Sequence, residues 1–323
     1  MNPIKSKGAG SVRDELIAIL AIVLPCLIPD LNSLLQLFMP GIAAVFLNFG
    51  AIKRRLVTLL VTYIIGSSLF LYLGMVASSL VLAQVVVICG VLLISVWKNV
   101  EAPKTVVVMS VAMFAMAIVL IGFASNWNIY NLYSKMVTAM TAEYDKAVAL
   151  YKKSASSPLP AQLDEFIVEV KQTLIDYFPG IICSFFVLLS FSNTITFMRF
   201  NTLKGRARNL TPDFDRWQMP WWLVWAFIVS GFMALMPNGV WPFVGKNGVL
   251  VVCIFYLIQG FSIMKFFFKV METPVYIRYL VYALIGIQWY GLLLVVFTGL
   301  MDNWFDFRAR LEKKSASGKD DQA

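Results

Sequence analysis

From Leu16 to Met301 the chain is a succession of apolar segments, most of about 17 to 24 residues, and no other feature constrains its fold as strongly. A bilayer's hydrocarbon core is ~30 Å thick, so a helix of ~20 apolar residues crosses it. Such a helix closes its own backbone hydrogen bonds, which is what lipid demands of a spanning segment. A mean hydropathy of +0.76, with 59% hydrophobic and 14% charged residues, excludes a soluble globular protein. The fold class is therefore all-α, a polytopic transmembrane helical bundle.

Nine segments follow from the pattern: 16–29, 31–50, 56–73, 78–97, 105–124, 178–199, 220–236, 248–268 and 279–300. The first is short for a pass and Pro40-Gly41 interrupts the second, since proline removes a helical hydrogen bond. The stretch 16–50 is then either a broken hairpin or one kinked helix with a half-pass, giving eight to nine segments in all. The apolar run after the N-terminus carries Pro25, Pro29 and Asp30 and no A-x-A-like cleavage site, so it reads as a retained helix.

Basic residues set the orientation. Lys53-Arg54-Arg55, Lys98 with Lys104, the group Arg199, Lys204, Arg206, Arg208 and Arg216, and the group Lys265, Lys269 and Arg278 all fall on one side if the N-terminus is cytoplasmic. That predicts a multi-pass membrane protein with a cytoplasmic N-terminus, and the net charge of +9 is assigned to these loops rather than to nucleic acid. Trp97, Trp127, Trp217, Trp221, Trp222 and Trp241 sit near segment ends, where indole favours the headgroup region. Nine full passes would place the tail with Arg308, Arg310, Lys313, Lys314 and Lys319 outside, so either the tail is external or one segment is re-entrant.

Between 125 and 177, Ile129, Leu132, Met136, Met140, Ala147 and Tyr151 recur mostly three or four apart, as do Leu163, Phe166, Ile167, Val170, Leu174 and Tyr177. A Ser/Pro linker over 154–160 separates them. This predicts one external amphipathic helical hairpin, either packed over helix ends or serving as a lid or docking arm. Its five lysines and six acids exclude a polybasic clamp. The chain thus divides into an N-terminus (1–15), a first bundle (16–124), the hairpin (125–177), a second bundle (178–301) and a charged, aromatic tail (302–323).

Chemistry-bearing residues are few. There is no histidine, no CxxC and no P-loop, and the single cysteines Cys26, Cys89, Cys183 and Cys253 read as packing residues. No nucleophile, base and orienting group form a recognisable set, so neither an enzyme nor a cofactor or metal site is expected. Uncharged amides lie inside the segments at Asn48, Gln84, Asn193, Gln259 and Gln288. They serve as interhelical hydrogen bonds, or Asn48, Gln84, Asn193 and Gln259 line a polar cavity. Lys265 lies one turn inside its segment, either snorkelling to headgroups or facing an anionic solute. The string Asp302-Asn303-Trp304-Phe305-Asp306-Phe307-Arg308 closes the last segment, with Arg308 able to pair Asp302 or Asp306 and the aromatic rings able to shield that pair. It is either an interfacial anchor or a docking motif, of which Asp302, Trp304, Asp306 and Arg308 are the candidate members.

With Met39-Pro40 before Asn48-Phe49-Gly50, Tyr177-Phe178-Pro179-Gly180, Asn193 with Arg199, Gln259-Gly260 and the string from Gly299 to Arg308, the chain resembles the YybS-like family of bacterial multi-pass membrane proteins. That family is distantly similar to the substrate-binding S subunits of energy-coupling-factor vitamin transporters. The resemblance implies capture of a small organic solute and an energising partner protein. The chain departs from S subunits in having more than about six helices, and Ala18 and Ala21 are three apart where an A-x-x-x-A docking pattern needs four. The other reading is a non-transporting scaffold that recruits protein partners in the bilayer.

Overall fold

The computed structural model describes residues 12–28, 31–49, 51–124, 128–154, 161–203 and 213–312. All regular structure among them is helical: α1 (Val12–Leu27), α2 (Asn32–Gln36), α3 (Met39–Leu47), α4 (Ile52–Tyr72), α5 (Val76–Trp97), α6 (Ala102–Ala124), α7 (Ile129–Ser154), α8 (Ala161–Leu203), α9 (Leu223–Ala234), α10 (Trp241–Val270), α11 (Val275–Ile287) and α12 (Trp289–Phe305). The loop residues Lys204, Arg206 and Arg208, Trp127, the linker at 155–160 and the tail beyond 312 lie outside the described residues.

Five helical stretches are long and apolar enough to cross a bilayer: Ile52–Tyr72, Val76–Trp97, Ala102–Leu120, Leu163–Leu203 and Trp241–Val270. Counting α11 and α12 as one broken span makes six, although the pair is bent by 107°. The eight to nine segments expected from hydropathy are not all spans of full length. Residues 16–27 of the first segment lie in a 16-residue helix, residues 31–49 of the second are divided by the break between α2 and α3, and segment 220–236 yields 12 helical residues. The exposed apolar face of α4, with Leu56, Val57, Leu60, Val61, Ile64 and Ile65, is far larger than a soluble surface tolerates and suits lipid.

Turn chemistry ends three helices alike. After α4, Gly74 (φ 73°) lets Met75 N–H reach Phe70 O at 2.7 Å and Gly74 N–H reach Leu71 O at 3.1 Å. Asn99 (φ 54°) after α5 and Glu272 (φ 49°) after α10 repeat the pattern with side chains that tolerate a left-handed backbone less well.

The chain forms two compact units. The first comprises 1–113, 186–221 and 254–323. Its core packs α1, α3, α4 and α5 around Ile22, Leu47, Leu82, Ile88, Leu92 and Leu93, with Ala18, Ala21, Ala43 and Ala44 permitting close helix approach. The second comprises 114–185 and 222–253. There α7 and the first turns of α8 form the expected hairpin. Tyr133 and Tyr144 hydroxyls donate to Ile175 O (3.1 Å) and Ile167 O (2.9 Å), and Lys171 pairs Asp145 at 2.7 Å. Segment 178–199 does not start a new helix, because α8 runs unbroken through Pro179.

Candidate functional site

The predicted amides separate into distinct settings. Asn193, fully buried on α8, serves the break between α2 and α3. Its Oδ1 accepts Gly41 N–H at 2.7 Å, while Nδ2 donates to Gln36 O and Leu189 O, both at 2.9 Å. Pro40 cannot continue the hydrogen-bond ladder, so Asn193 takes up groups that the break releases. Asn48 bonds Asn201 Oδ1 (3.2 Å) and accepts from Arg55 Nη1 (2.7 Å) at the end of α3. Gln84 is half-buried on α5 and makes no side-chain hydrogen bond among the described residues. The structure therefore does not bring Asn48, Gln84 and Asn193 to one place.

Gln259 does join the C-terminal string. Residues 260 and 299 are both glycine, and a Cβ at Gly260 would collide with Val295 O, one at Gly299 with Tyr256 O. The two backbones can approach only because neither side chain exists. That closeness sets Gln259 on α10 beside Asp302 on α12. Gln259 Oε1 accepts Met219 N–H (3.0 Å) and Nε2 donates to Asp302 Oδ2 (3.3 Å). Asp302 Oδ1 accepts Phe307 N–H at 3.1 Å.

Asp306 turns the chain at this point. Its backbone is left-handed (φ 42°, ψ 64°), which ends α12 and sends 307–312 back as a short helical turn. Arg308 is thereby carried inward to 6% exposure, where Nη2 donates to Trp217 O (2.8 Å) and Ser262 Oγ (2.9 Å). Its Nη1 lies 3.7 Å from Asp302 Oδ2, too long for a hydrogen bond, and neither Nε nor Nη1 has a hydrogen-bond partner among the described residues. Burial pulls the Arg308 guanidinium below its ordinary value, while the charges of Asp302, Asp306 and Asp215 pull it back up. Trp304 is 57% exposed and does not shield this pair. Trp217, whose carbonyl accepts from Arg308, was expected at a membrane interface but is fully buried against Phe191 and Phe214.

The loop before α9 supplies what sequence reasoning missed. Residues 214–216 form a 3₁₀ turn, 217–220 have no regular structure and 221–222 turn into α9, and the one hydroxyl proton of Ser262 is shared between Phe214 O (2.6 Å) and Trp217 O (3.1 Å). Asp215, 2% exposed, takes Lys269 at 3.0 Å and Lys265 at 3.7 Å. Lys265 thus meets an internal carboxylate and lies over the Phe214 ring at 5.6 Å. Burial alone would raise the Asp215 pKa. The Lys269 hydrogen bond, backbone hydrogen bonding and the two ammonium charges outweigh it and hold the carboxyl below its ordinary value.

A cleft of ≈ 390 Å³ opens over this cluster, lined by Gln218, Met219, Pro220 and Trp221 of the loop, Gln259, and Asp302, Asn303 and Asp306, with Glu101 and Lys104 beside them. Glu101 and Lys104 pair at 2.9 Å. The Pro220 that stops helix formation before α9 was the available signal that this loop is fixed rather than a bare connector. A family model described as "Predicted membrane protein (DUF2232)" matches residues 16–303. Neither the curated proteins nor the solved structures give a match.

Proposed function

The chain belongs to the DUF2232 family of predicted membrane proteins, and from that premise we propose that it is a non-catalytic solute-binding component of a bacterial cytoplasmic membrane. It works with an energising partner protein and has its N-terminus on the cytoplasmic side. The family accords with the YybS-like resemblance, and the likeness to S subunits belongs to the proposal. One observation carries the reading: Gln259 and three residues of the C-terminal string, Asp302, Asn303 and Asp306, far apart in sequence, line one cleft. Its ≈ 390 Å³ falls in the ~300–1,000 Å³ range of small-molecule sites.

Binding is tested by thermal unfolding of the purified full chain against a panel of vitamins and small metabolites. A bound solute raises stability with the logarithm of its excess over Kd. Absence of any stabilising solute, with folding verified, overturns the reading in favour of the scaffold alternative. Orientation is tested separately in a Cys-free background. Ser156→Cys, in a segment outside the described residues, should react with an impermeant thiol reagent from outside and Thr202→Cys should not. The reverse pattern overturns the proposed sidedness.

A further inference from the structure

Sequence alone leaves two places for the C-terminal string, outside after a last full pass or beside the basic loops. Contacts within the first unit choose between them. One end of that unit gathers the basic residues. Arg54 at the start of α4 pairs Glu15 at 2.6 Å, and Arg55 Nη1 donates to Asn48 Oδ1 at 2.7 Å. Asn48 in turn donates to Asn201 near the end of α8 at 3.2 Å. Lys104 stands in the first turn of α6, and Lys265 and Lys269 in the last turns of α10. Lys and Arg favour the cytoplasmic side of a membrane, so this end is the cytoplasmic one.

The string sits at that same end. Asp302, in the last turn of α12, accepts from Gln259 Nε2 at 3.3 Å. Arg308, just beyond it, donates to Trp217 O and Ser262 Oγ. Glu312 lies 3.5 Å from Arg216, on the loop whose Asp215 is held by Lys269. Glu101 and Lys104, between α5 and α6, line the cleft together with Asp302, Asn303 and Asp306.

The helices leading to the string begin there too. α11 follows the end of α10 after residues 271–274. Its Tyr282 packs on Phe268 (5.5 Å) and Phe261 (6.0 Å), and on α12 a Cβ at Gly299 would strike Tyr256 O. The pair therefore meets α10 over residues 256–268, in its C-terminal half. With 13 residues α11 is about 20 Å long, short of the ~30 Å core, and α12 then departs at 107°. Leu280, Leu284 and Ile287 on α11 and Leu293, Leu294 and Phe297 on α12 are exposed, which suits burial in lipid.

We infer that α11 and α12 enter and leave the bilayer on the cytoplasmic side as a re-entrant pair, so that the cleft opens to the cytoplasm. A solute in it is exchanged with the cytoplasm and is not captured from outside. This rests on the solute-binding reading for its occupant and adds the face from which that occupant arrives.

The experiment labels the full chain, in the Cys-free background, with a membrane-impermeant maleimide in sealed cells and again after permeabilisation. Leu73→Cys, in the turn after α4, is the external reference, and Lys98→Cys, after α5, is the cytoplasmic one; both positions are exposed. Glu312→Cys and a cysteine appended after Ala323 report the string. Both should stay unlabelled in sealed cells and label after permeabilisation, as Lys98→Cys does, while Leu73→Cys labels in both. Ile287→Cys, an exposed position at the bend, lies within the bilayer and should stay unlabelled in sealed cells. Labelling of the string in sealed cells with Lys98→Cys silent would overturn re-entry, and so would labelling of Ile287→Cys there. Exchange of the two references would put the cleft outside and overturn its cytoplasmic opening. Where Glu312→Cys fails to fold, the appended cysteine, which replaces no residue, carries the test. Solute binding is read separately by thermal unfolding, so either reading can fail while the other stands.

Discussion

Asn193 and Arg308 both bury polar groups among apolar helices, but only Asn193 leaves nothing unspent. Its carbonyl takes Gly41 N–H and its amide hydrogens go to Gln36 O and Leu189 O. The second unit repeats the device: Asn247 Oδ1 accepts Gly180 N–H at 2.6 Å and Nδ2 donates to Asp176 O and Phe243 O, both at 2.8 Å. In each case an asparagine on one helix repairs a Pro-Gly interruption in another. One interruption separates two helices and the other leaves α8 continuous. Arg308, by contrast, keeps two donors without hydrogen-bond partners and a carboxylate 3.7 Å away, next to an open cleft. Asn193 and Asn247 close their joints completely, whereas Arg308 is left under-satisfied beside a cavity.

The largest effect that could break this contrast is at Arg308. Arg308→Ala strands the Asp302 carboxylate in a buried setting and should lower unfolding free energy in mixed micelles by ~3–5 kcal/mol. Pairing it with Asp302→Asn should cost less than the sum of the single changes, because the stranded charge is gone. Additive effects would mean that the 3.7 Å separation carries no coupling. Next in size, Asn193→Ala orphans Gly41 N–H and Gln36 O and should cost ~2–3 kcal/mol, with Asn247→Ala close to it. Neither asparagine variant should alter solute affinity at the cleft while folded. A binding loss in folded Asn193→Ala would erase the distinction between joint and site.

Much of this was legible in sequence, for physical reasons that also mark where reading stops. Apolar runs gave the helical membrane class, and three-to-four spacing gave the α7–α8 hairpin, because both signals are local. The meeting of Gln259 with Asp302 is not local. It depends on two glycines, Gly260 and Gly299, on different helices removing the side chains that would hold the backbones apart. Hydropathy also drew 279–300 as one pass, whereas Gln288 adopts extended backbone (φ −106°, ψ 119°) and bends α11 from α12. A hydropathy sum over 22 positions does not register one changed pair of dihedrals. Trp217 was misplaced for a similar reason, since the indole preference for interfaces is an average and this indole packs on Phe191 and Phe214.

A smaller effect sharpens the contrast by adding a buried charge that is well paired. Asp215 has a lower pKa folded than unfolded, so the folded chain binds fewer protons in acid. Its contribution is fully present above the unfolded value near ~3.9 and is lost as pH falls through the folded value. Lys265 and Lys269 remain partly exposed, so the amount is on the order of 1 kcal/mol. Asp215→Asn should therefore flatten the decline of unfolding free energy as pH falls from about 5 to about 2. An undiminished decline would assign the acid sensitivity to other carboxylates.

The smallest effect separates the two tryptophans near Arg308, Trp304 and Trp217. Trp304 is 57% exposed on the last turn of α12, whereas Trp217 is fully buried and its carbonyl holds Arg308. An exposed side chain away from packed features contributes within about 0.5 kcal/mol, so Trp304→Ala should leave micellar unfolding nearly unchanged. It should also be additive with Arg308→Ala, since no ring of Trp304 covers the guanidinium. Trp217→Ala should cost ~3–5 kcal/mol, because a large buried ring leaves a cavity that the loop cannot close. A Trp304→Ala loss above 1 kcal/mol, or coupling to Arg308, expressed on the ~0.5 kcal/mol scale of additivity, would return the shielding of the pair to the C-terminal string. Without that coupling, Arg308 is held by the loop before α9 and Ser262 and not by the aromatic residues of the string.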